Sequence, residues 1–198
     1  IGIITNLNII SGSNLIYNMQ KNQIVVIGSS NLDYIVTTDH FPKGGETLEG
    51  LSFTQAMGGK GANQAVAACR SGGAVSFITC VGNDLNGKNA LAYYNKEGID
   101  VSLALVKENV TTGTASIWVD KHGENSIIVI PGANQYLSSD YIIPHSNRLI
   151  QANTILLQME IPYETVKTIC KISTGHTKVI LNAAPAYSIE DEILQSIY

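Results

Sequence analysis

Residues 23–28, Gln23-Ile24-Val25-Val26-Ile27-Gly28, set four β-branched apolar side chains in a row and close them with a glycine. A strand with one wet face would alternate apolar and polar residues. An unbroken run instead suits a strand buried on both faces of a parallel sheet. Beyond Ala62 the pattern changes: NQAVAACRSGG (63–73) spaces small apolar residues at helical intervals and stops at glycine. VSFITCVG (75–82) then reads as a strand, DLNGKNALAYYNKEG (84–98) as a helix from an Asp cap to a Gly stop, and NTILLQM (153–159) as another strand. Pro162 stands where a first helical residue belongs, ahead of YETVKTICKIST, and KVILNAA (178–184) is again a strand. Strand and helix alternate, which predicts an α/β fold with a Rossmann-like three-layer core around a mainly parallel sheet.

Two stretches break the alternation. Tyr34 to Phe53 lacks helical periodicity and carries turn signals at Phe41-Pro42-Lys43-Gly44-Gly45 and Glu49-Gly50. Gly113 to Ile130 reads as a hairpin, TASIWVD and NSIIVI around Lys121-His122-Gly123-Glu124. Together they predict a small antiparallel β lid, segments about 34–55 and 110–130, able to shield a site at the carboxyl ends of the parallel strands. Surface decoration is the alternative. The ends read differently. Residues 1–18 carry no Lys, Arg, Asp or Glu and lack the features of a signal peptide, whereas Met19 leads directly into the first strand. The expectation is a non-native or disordered extension over 1–18 and one incomplete domain over 19–198. Ser188-Ile189-Glu190-Asp191 reads as an N-cap whose helix has barely begun at Tyr198, as if the C-terminal part of the fold were missing.

Composition narrows the function classes. The 198 residues are 44% hydrophobic and 14% charged, and 12 Lys+Arg against 16 Asp+Glu give a net charge of -4, so no basic face is available for nucleic acid. No apolar run approaches the roughly 18 residues of a membrane span. Cys69, Cys80 and Cys170 are odd in number and widely separated, which excludes a zinc ribbon, argues against a disulfide scaffold and suits free thiols in a reducing, cytoplasmic setting. His40, His122, His145 and His176 show no metal spacing and read as surface or loop residues.

Three groups could carry chemistry. Asn31 and Asp33, two apart, share one side of extended backbone, where an amide and a carboxylate could serve a polyol's hydroxyls; an Asx-turn pair is the plainer reading. Gly58-Gly59-Lys60-Gly61-Ala62-Asn63 puts three glycines in four positions before a helix, so that backbone can approach a ligand and the helix N-terminus can favour negative charge; a plain tight turn is the alternative. It is not a Walker A loop, because Gly61 rather than Ser or Thr follows Lys60. Glu160 closes a strand at the end where α/β folds place ligand groups, or is simply a solvated carboxylate.

Gly28-Ser29-Ser30-Asn31-Leu32-Asp33, Gly45-Glu46-Thr47, the run Gly58 to Ala65, Gly132-Ala133-Asn134 and Asn182-Ala183-Ala184-Pro185-Ala186 resemble, in order and approximate spacing, the ribokinase/fructokinase (PfkB) superfamily over about Met19 to Tyr198. The resemblance implies an ATP-dependent carbohydrate kinase, D-ribose phosphorylated at its 5-hydroxyl being the leading substrate. Another sugar or nucleoside kinase of the superfamily, or a non-catalytic sugar-binding module, is the alternative. It further implies that Asn31, Asp33, Gly58, Gly59, Lys60, Asn63 and Glu160 hold the sugar against an apolar wall of Ala115 and Val129. Mg2+ with ATP, a monovalent cation such as K+, and a homodimer through the lid are implied as well. The family's N-x-x-E element, cation loop and G-A-G-D loop with the catalytic base would lie beyond Tyr198. Asn182-Ala183 departs from the family pattern, which commonly has Pro after the Asn.

Overall fold

The computed structural model describes residues 23–173 and 175–198, so the expectation for residues 1–18 lies outside it. In chain order the elements are strands β1 (Gln23–Ile27), β2 (Asn31–Thr37) and β3 (Ser52–Gly58), helix α1 (Lys60–Arg70), strands β4 (Ala74–Ile78) and β5 (Cys80–Gly82), helix α2 (Leu85–Lys96) and strands β6 (Leu105–Lys107), β7 (Gly113–Val119) and β8 (Asn125–Ile130). A 3-10 turn (Gly132–Tyr136), short helices α3 (Ser139–Ile142) and α4 (Ser146–Ile150), strand β9 (Thr154–Gln158), helix α5 (Tyr163–Ile172), strand β10 (Lys178–Asn182) and helix α6 (Asp191–Leu194) complete it.

The central sheet runs β10-β9-β1-β4, every pair parallel. β1 is buried on both faces, as its unbroken apolar run requires. Val25 and Ile27 pack with Ile155, Leu157, Val166, Ile169 and Val179 on the α5 side. Val26 packs with Ala62, Ala65, Phe77 and Tyr94 on the side of α1 and α2. Two apolar layers sandwiching one sheet make the three-layer α/β core.

Several boundaries differ from the sequence reading. VSFITCVG is two strands, because at Thr79 the chain changes partners. Ile78 O still accepts from Gly28 N beside β1, whereas Thr79 O accepts from Leu105 N and β5 continues in a separate pair with β6. Pro162 caps α5 rather than opening it, its carbonyl accepting from Thr165 N and Val166 N. The last helix starts at Asp191 with Glu190, not Ser188, as its cap. Glu190 is held there by Lys167 at 3.0 Å and by its own N–H donating to the Tyr163 hydroxyl, while Ile193 is buried behind it.

The lid is a second four-stranded sheet in the order β3-β2-β7-β8. Its outer pairs are antiparallel, and its central pair β2·β7 runs parallel because the whole α1–β6 segment intervenes between the two strands. β2 begins at Asn31 and β3 ends at Gly58, so the lid strands run beyond the expected 34–55 at both ends and carry the Asn-x-Asp pair into the sheet. The β7–β8 hairpin turns at Asp120–Glu124, with Gly123 at φ +83°. Among the described residues no helix is long and apolar enough to cross a membrane, and all three cysteines are free thiols.

Candidate functional site

The site is built where β1 ends, α1 begins and the lid departs. α1 sits unusually close to the chain leaving β1: a Cβ on Gly61 would lie 2.6 Å from Gly28 C and Ser29 N, so only glycine fits. Gly59, at φ +88°, turns the chain into the helix. The first-turn amides are then spoken for within the chain. Lys60 N donates to Glu160 Oε2 at 2.8 Å, Gly61 N to Ser29 Oγ at 3.3 Å and Ala62 N to Ser29 O at 2.9 Å. Ser29 Oγ in turn donates to Glu160 Oε2 at 2.5 Å. The negative charge drawn to this helix N-terminus is therefore the protein's own Glu160. The Lys60 ammonium lies 3.5 Å from Glu160 Oε1 and remains partly exposed.

Asn31 and Asp33 lie on β2 and share one face of the lid sheet; the Asx-turn reading does not apply. Asp33 stands in a cross-strand row with Ala56, Ala115 and Val129, and Asn31 in the next row with Gly58 and Gly113. Both glycines make room. A Cβ on Gly58 would overlap the Asp33 carboxylate, and one on Gly113 would overlap Asn31 Oδ1 and Asn134 Nδ2. Burial, and then the charge of Glu160, raise the Asp33 pKa above its ordinary value. No described residue donates a hydrogen bond to the Asp33 carboxylate. Asn31 is buried, and its Oδ1 accepts from Asn134 Nδ2 at 2.8 Å.

The structure thus gathers Asn31, Asp33, Gly58, Gly59, Lys60, Glu160 and Ala115. Val129 is in the same row as Asp33 but two strands away, roughly 10 Å, and half exposed. Asn63 is exposed one turn along α1 from Lys60 and lines a hollow with Met57, Val66, Tyr93 and Tyr94. No hydrogen bond ties its side chain to the carboxylates among the described residues. Sequence reading missed the roles of Ser29, which holds Glu160 and the first turn of α1 in place, and of Asn134, whose Gly-Ala-Asn run was visible without its contact; it picked out Gly61 as a loop glycine but not its close approach to Gly28 and Ser29.

Elsewhere the titratable groups are structural. Asp84 caps α2 through Gly87 N at 2.7 Å and also accepts from Thr112 N at 2.8 Å and Thr112 Oγ1 at 2.6 Å, leaving it no freedom to act as a base. His40 lies in an exposed cluster with Asp39 and Glu46. Among the described residues no three His, Cys, Asp or Glu side chains form a metal-binding group.

The chain as a whole has known counterparts. The pfkB family carbohydrate kinase profile matches residues 21–197. The chain is 40% identical over 178 residues to the ribokinase of Haemophilus influenzae, covering 89% of this chain and 58% of that protein. Among solved structures it is similar to the ribokinase of Thermotoga maritima, with a TM-score of 0.79, 39% identity and coverage of 89% of this chain and 57% of that one. It is also similar to Arabidopsis thaliana ribokinase complexed with ribose and ATP, with a TM-score of 0.73, 30% identity and coverage of 89% and 58%. The chain thus spans less than two thirds of the length of these relatives.

Proposed function

The chain belongs to the pfkB family of carbohydrate kinases, and from that premise we propose that its site holds D-ribose for phosphorylation at the 5-hydroxyl by ATP. The observation that carries this reading is the Asp33 carboxylate, half-buried on the lid strand β2, without a hydrogen-bond donor among the described residues and within the field of Glu160, which itself pairs with Lys60. Ionised Asp33 can only accept, so it suits the hydroxyl protons of a sugar. The Lys60 ammonium is assigned as a donor to the sugar, and Ala115 and Val129 as apolar surface for its carbon face. Gly58 leaves room for the Asp33 carboxylate, and Gly59 lets the loop pass close to the backbone of Ser29 and Asn31. Asn63 joins the set only if the lid brings the sugar to the first turn of α1.

Phosphoryl transfer is mainly positioning and charge stabilisation. The described residues supply positioning but no metal-binding group, so the work assigned to them is to bind and orient the sugar. We assign the nucleotide, its Mg2+, a cation such as K+ and the catalytic base to the part of the relatives' length that this chain does not span, supported by the 58% coverage of the Haemophilus relative. We also assign the protein to the cytoplasm, supported by its free thiols, and to a homodimer through the lid. Edge strand β8 leaves Ile127, Ile128, Val129 and Ile130 half or more exposed, an edge that a second copy would cover.

Two assays test the reading. Calorimetric titration with D-ribose, 2-deoxy-D-ribose and D-fructose is expected to rank ribose first; a preference for another sugar would reassign the substrate. An assay of ADP release is expected to show no ribose-dependent turnover by the 198-residue chain, and turnover near a full-length enzyme's rate would overturn the placement of the base.

A further inference from the structure

Ser30 N, a backbone group that can only donate, gives its proton to Asn134 Oδ1 at 2.9 Å. That contact fixes which way round the Asn134 amide sits, so its NH2 faces Asn31 and donates to Asn31 Oδ1 at 2.8 Å. Asn31 then has its carbonyl turned inward and its own NH2 turned away from Asn134, where no described residue accepts from it. All three residues are buried, at 0% for Ser30, 5% for Asn31 and 1% for Asn134. Reversing either amide would press two donors or two acceptors together out of reach of water, which a buried site does not tolerate. Gly113 leaves the space in which the two amides meet. Asn134 is itself anchored on the turn that ends β8, where Ala133 N donates to Thr111 O and Asn134 N to Pro131 O.

We propose that Asn134 is a positioning residue that locks the Asn31 side chain as a hydrogen-bond donor to the bound sugar. The proposal rests on the reading of Asn31 and Asp33 as sugar ligands. It adds a polarity to that reading: Asp33 only accepts, Asn31 only donates, and together they match a hydroxyl that gives a proton to one and takes a proton from the other, or two neighbouring hydroxyls that divide the roles. The information originates in the backbone at Ser30 and reaches the sugar through two amides. Because Asn134 hangs from the end of the lid hairpin, the same relay ties the donor to the lid's attachment point.

The test is NMR of side-chain amide exchange in the full chain, with D-ribose as the probe, on wild type, Asn134→Asp and Asn31→Asp. In wild type without sugar, the Asn134 NH2 is expected to be protected and the Asn31 NH2 to exchange rapidly; saturating ribose slows the latter. In Asn134→Asp the new carboxylate still accepts from Ser30 N but offers Asn31 only oxygen, so Asn31 turns round. Its NH2 becomes protected without sugar, and ribose affinity falls about tenfold or more. Asn31→Asp keeps the bond from Asn134 and is expected to melt near wild type, yet to lose a similar factor in affinity. An Asn31 NH2 already protected in sugar-free wild type, or undiminished ribose affinity in either folded variant, would overturn the proposal. Failure of wild type to bind ribose would instead count against the sugar reading, and the exchange pattern without sugar would still decide the polarity of the relay.

Discussion

Lys60 meets Glu160 twice, through its backbone N–H at 2.8 Å from Oε2 and through its ammonium at 3.5 Å from Oε1. One carboxylate thereby closes the N-terminus of α1, receives the Ser29 hydroxyl and holds the Lys60 ammonium. Glu160→Gln retains a carbonyl that can accept but loses the charge that interacts with Lys60 and the helix dipole. The expected cost is about 1–2 kcal/mol in urea unfolding. An unchanged midpoint would show that the pairing contributes nothing to stability.

Asp33 carries the opposite balance. Its folded pKa is raised, so the unliganded fold gains from protonated Asp33; this contribution is fully present below the unfolded value of about 3.9 and is lost as pH rises through the folded pKa. Asp33→Asn is therefore expected to melt higher than wild type at pH 7 without sugar, with the difference shrinking toward pH 3. Ribose affinity in wild type should rise across the same window, as the proton that blocks the acceptor leaves. Melting curves that coincide at pH 7 would contradict the placement of Asp33 in a desolvating site.

Gly61 and Gly59 separate packing from backbone strain. A Cβ on Gly61 meets backbone at 2.6 Å, which cannot move without shifting α1, whereas a Cβ on Gly59 meets Asn31 N and Ser29 O at 3.0 Å in a conformation L residues rarely adopt. Gly61→Ala should cost about 1–3 kcal/mol through overpacking and move the Glu160 end of the site. Gly59→Val should cost a comparable amount of stability and abolish sugar binding, because its side chain presses on the Ser29–Asn31 backbone that carries Asn31 and Asp33 into the lid sheet. Normal sugar binding by Gly59→Val would make this loop an ordinary turn.

Asp84 is expected to matter for stability alone. Burial opposes its ionisation, but the bonds from Thr112 and from Gly87 N outweigh that and hold its pKa below the ordinary value. Its contribution is present above the unfolded pKa and disappears as pH falls through the folded one. Asp84→Ala should cost about 1–2 kcal/mol, as a lost helix cap does, with ribose affinity retained in the folded fraction. A folded Asp84→Ala protein that no longer binds ribose would bring Asp84 into the site.

The core was legible because β1 and β9 are largely buried strands whose apolar runs speak for themselves, and because α1 and α2 carry clear stops at Gly72 and Gly98. Less legible was anything decided by a partner distant in sequence. The break at Thr79 depends on Leu105, and the first turn of α6 on Tyr163 and Lys167. The parallel β2·β7 pair joins segments some eighty residues apart. Within the site, Asn31, Asp33, Lys60 and Glu160 stood out by residue type and position. Ser29 and Asn134 did not, since a small hydroxyl and a buried amide announce themselves only through what they touch.

The most direct test of the sugar site is calorimetric titration of D-ribose into wild type and Asp33→Ala at pH 7, with circular dichroism and melting curves showing both folded. The expected result is one ribose per chain in wild type and an affinity at least about tenfold weaker in Asp33→Ala, the loss of a charge-assisted hydrogen bond. Equal affinity in the two folded proteins would contradict the assignment of Asp33, and with it the site built around Lys60 and Glu160.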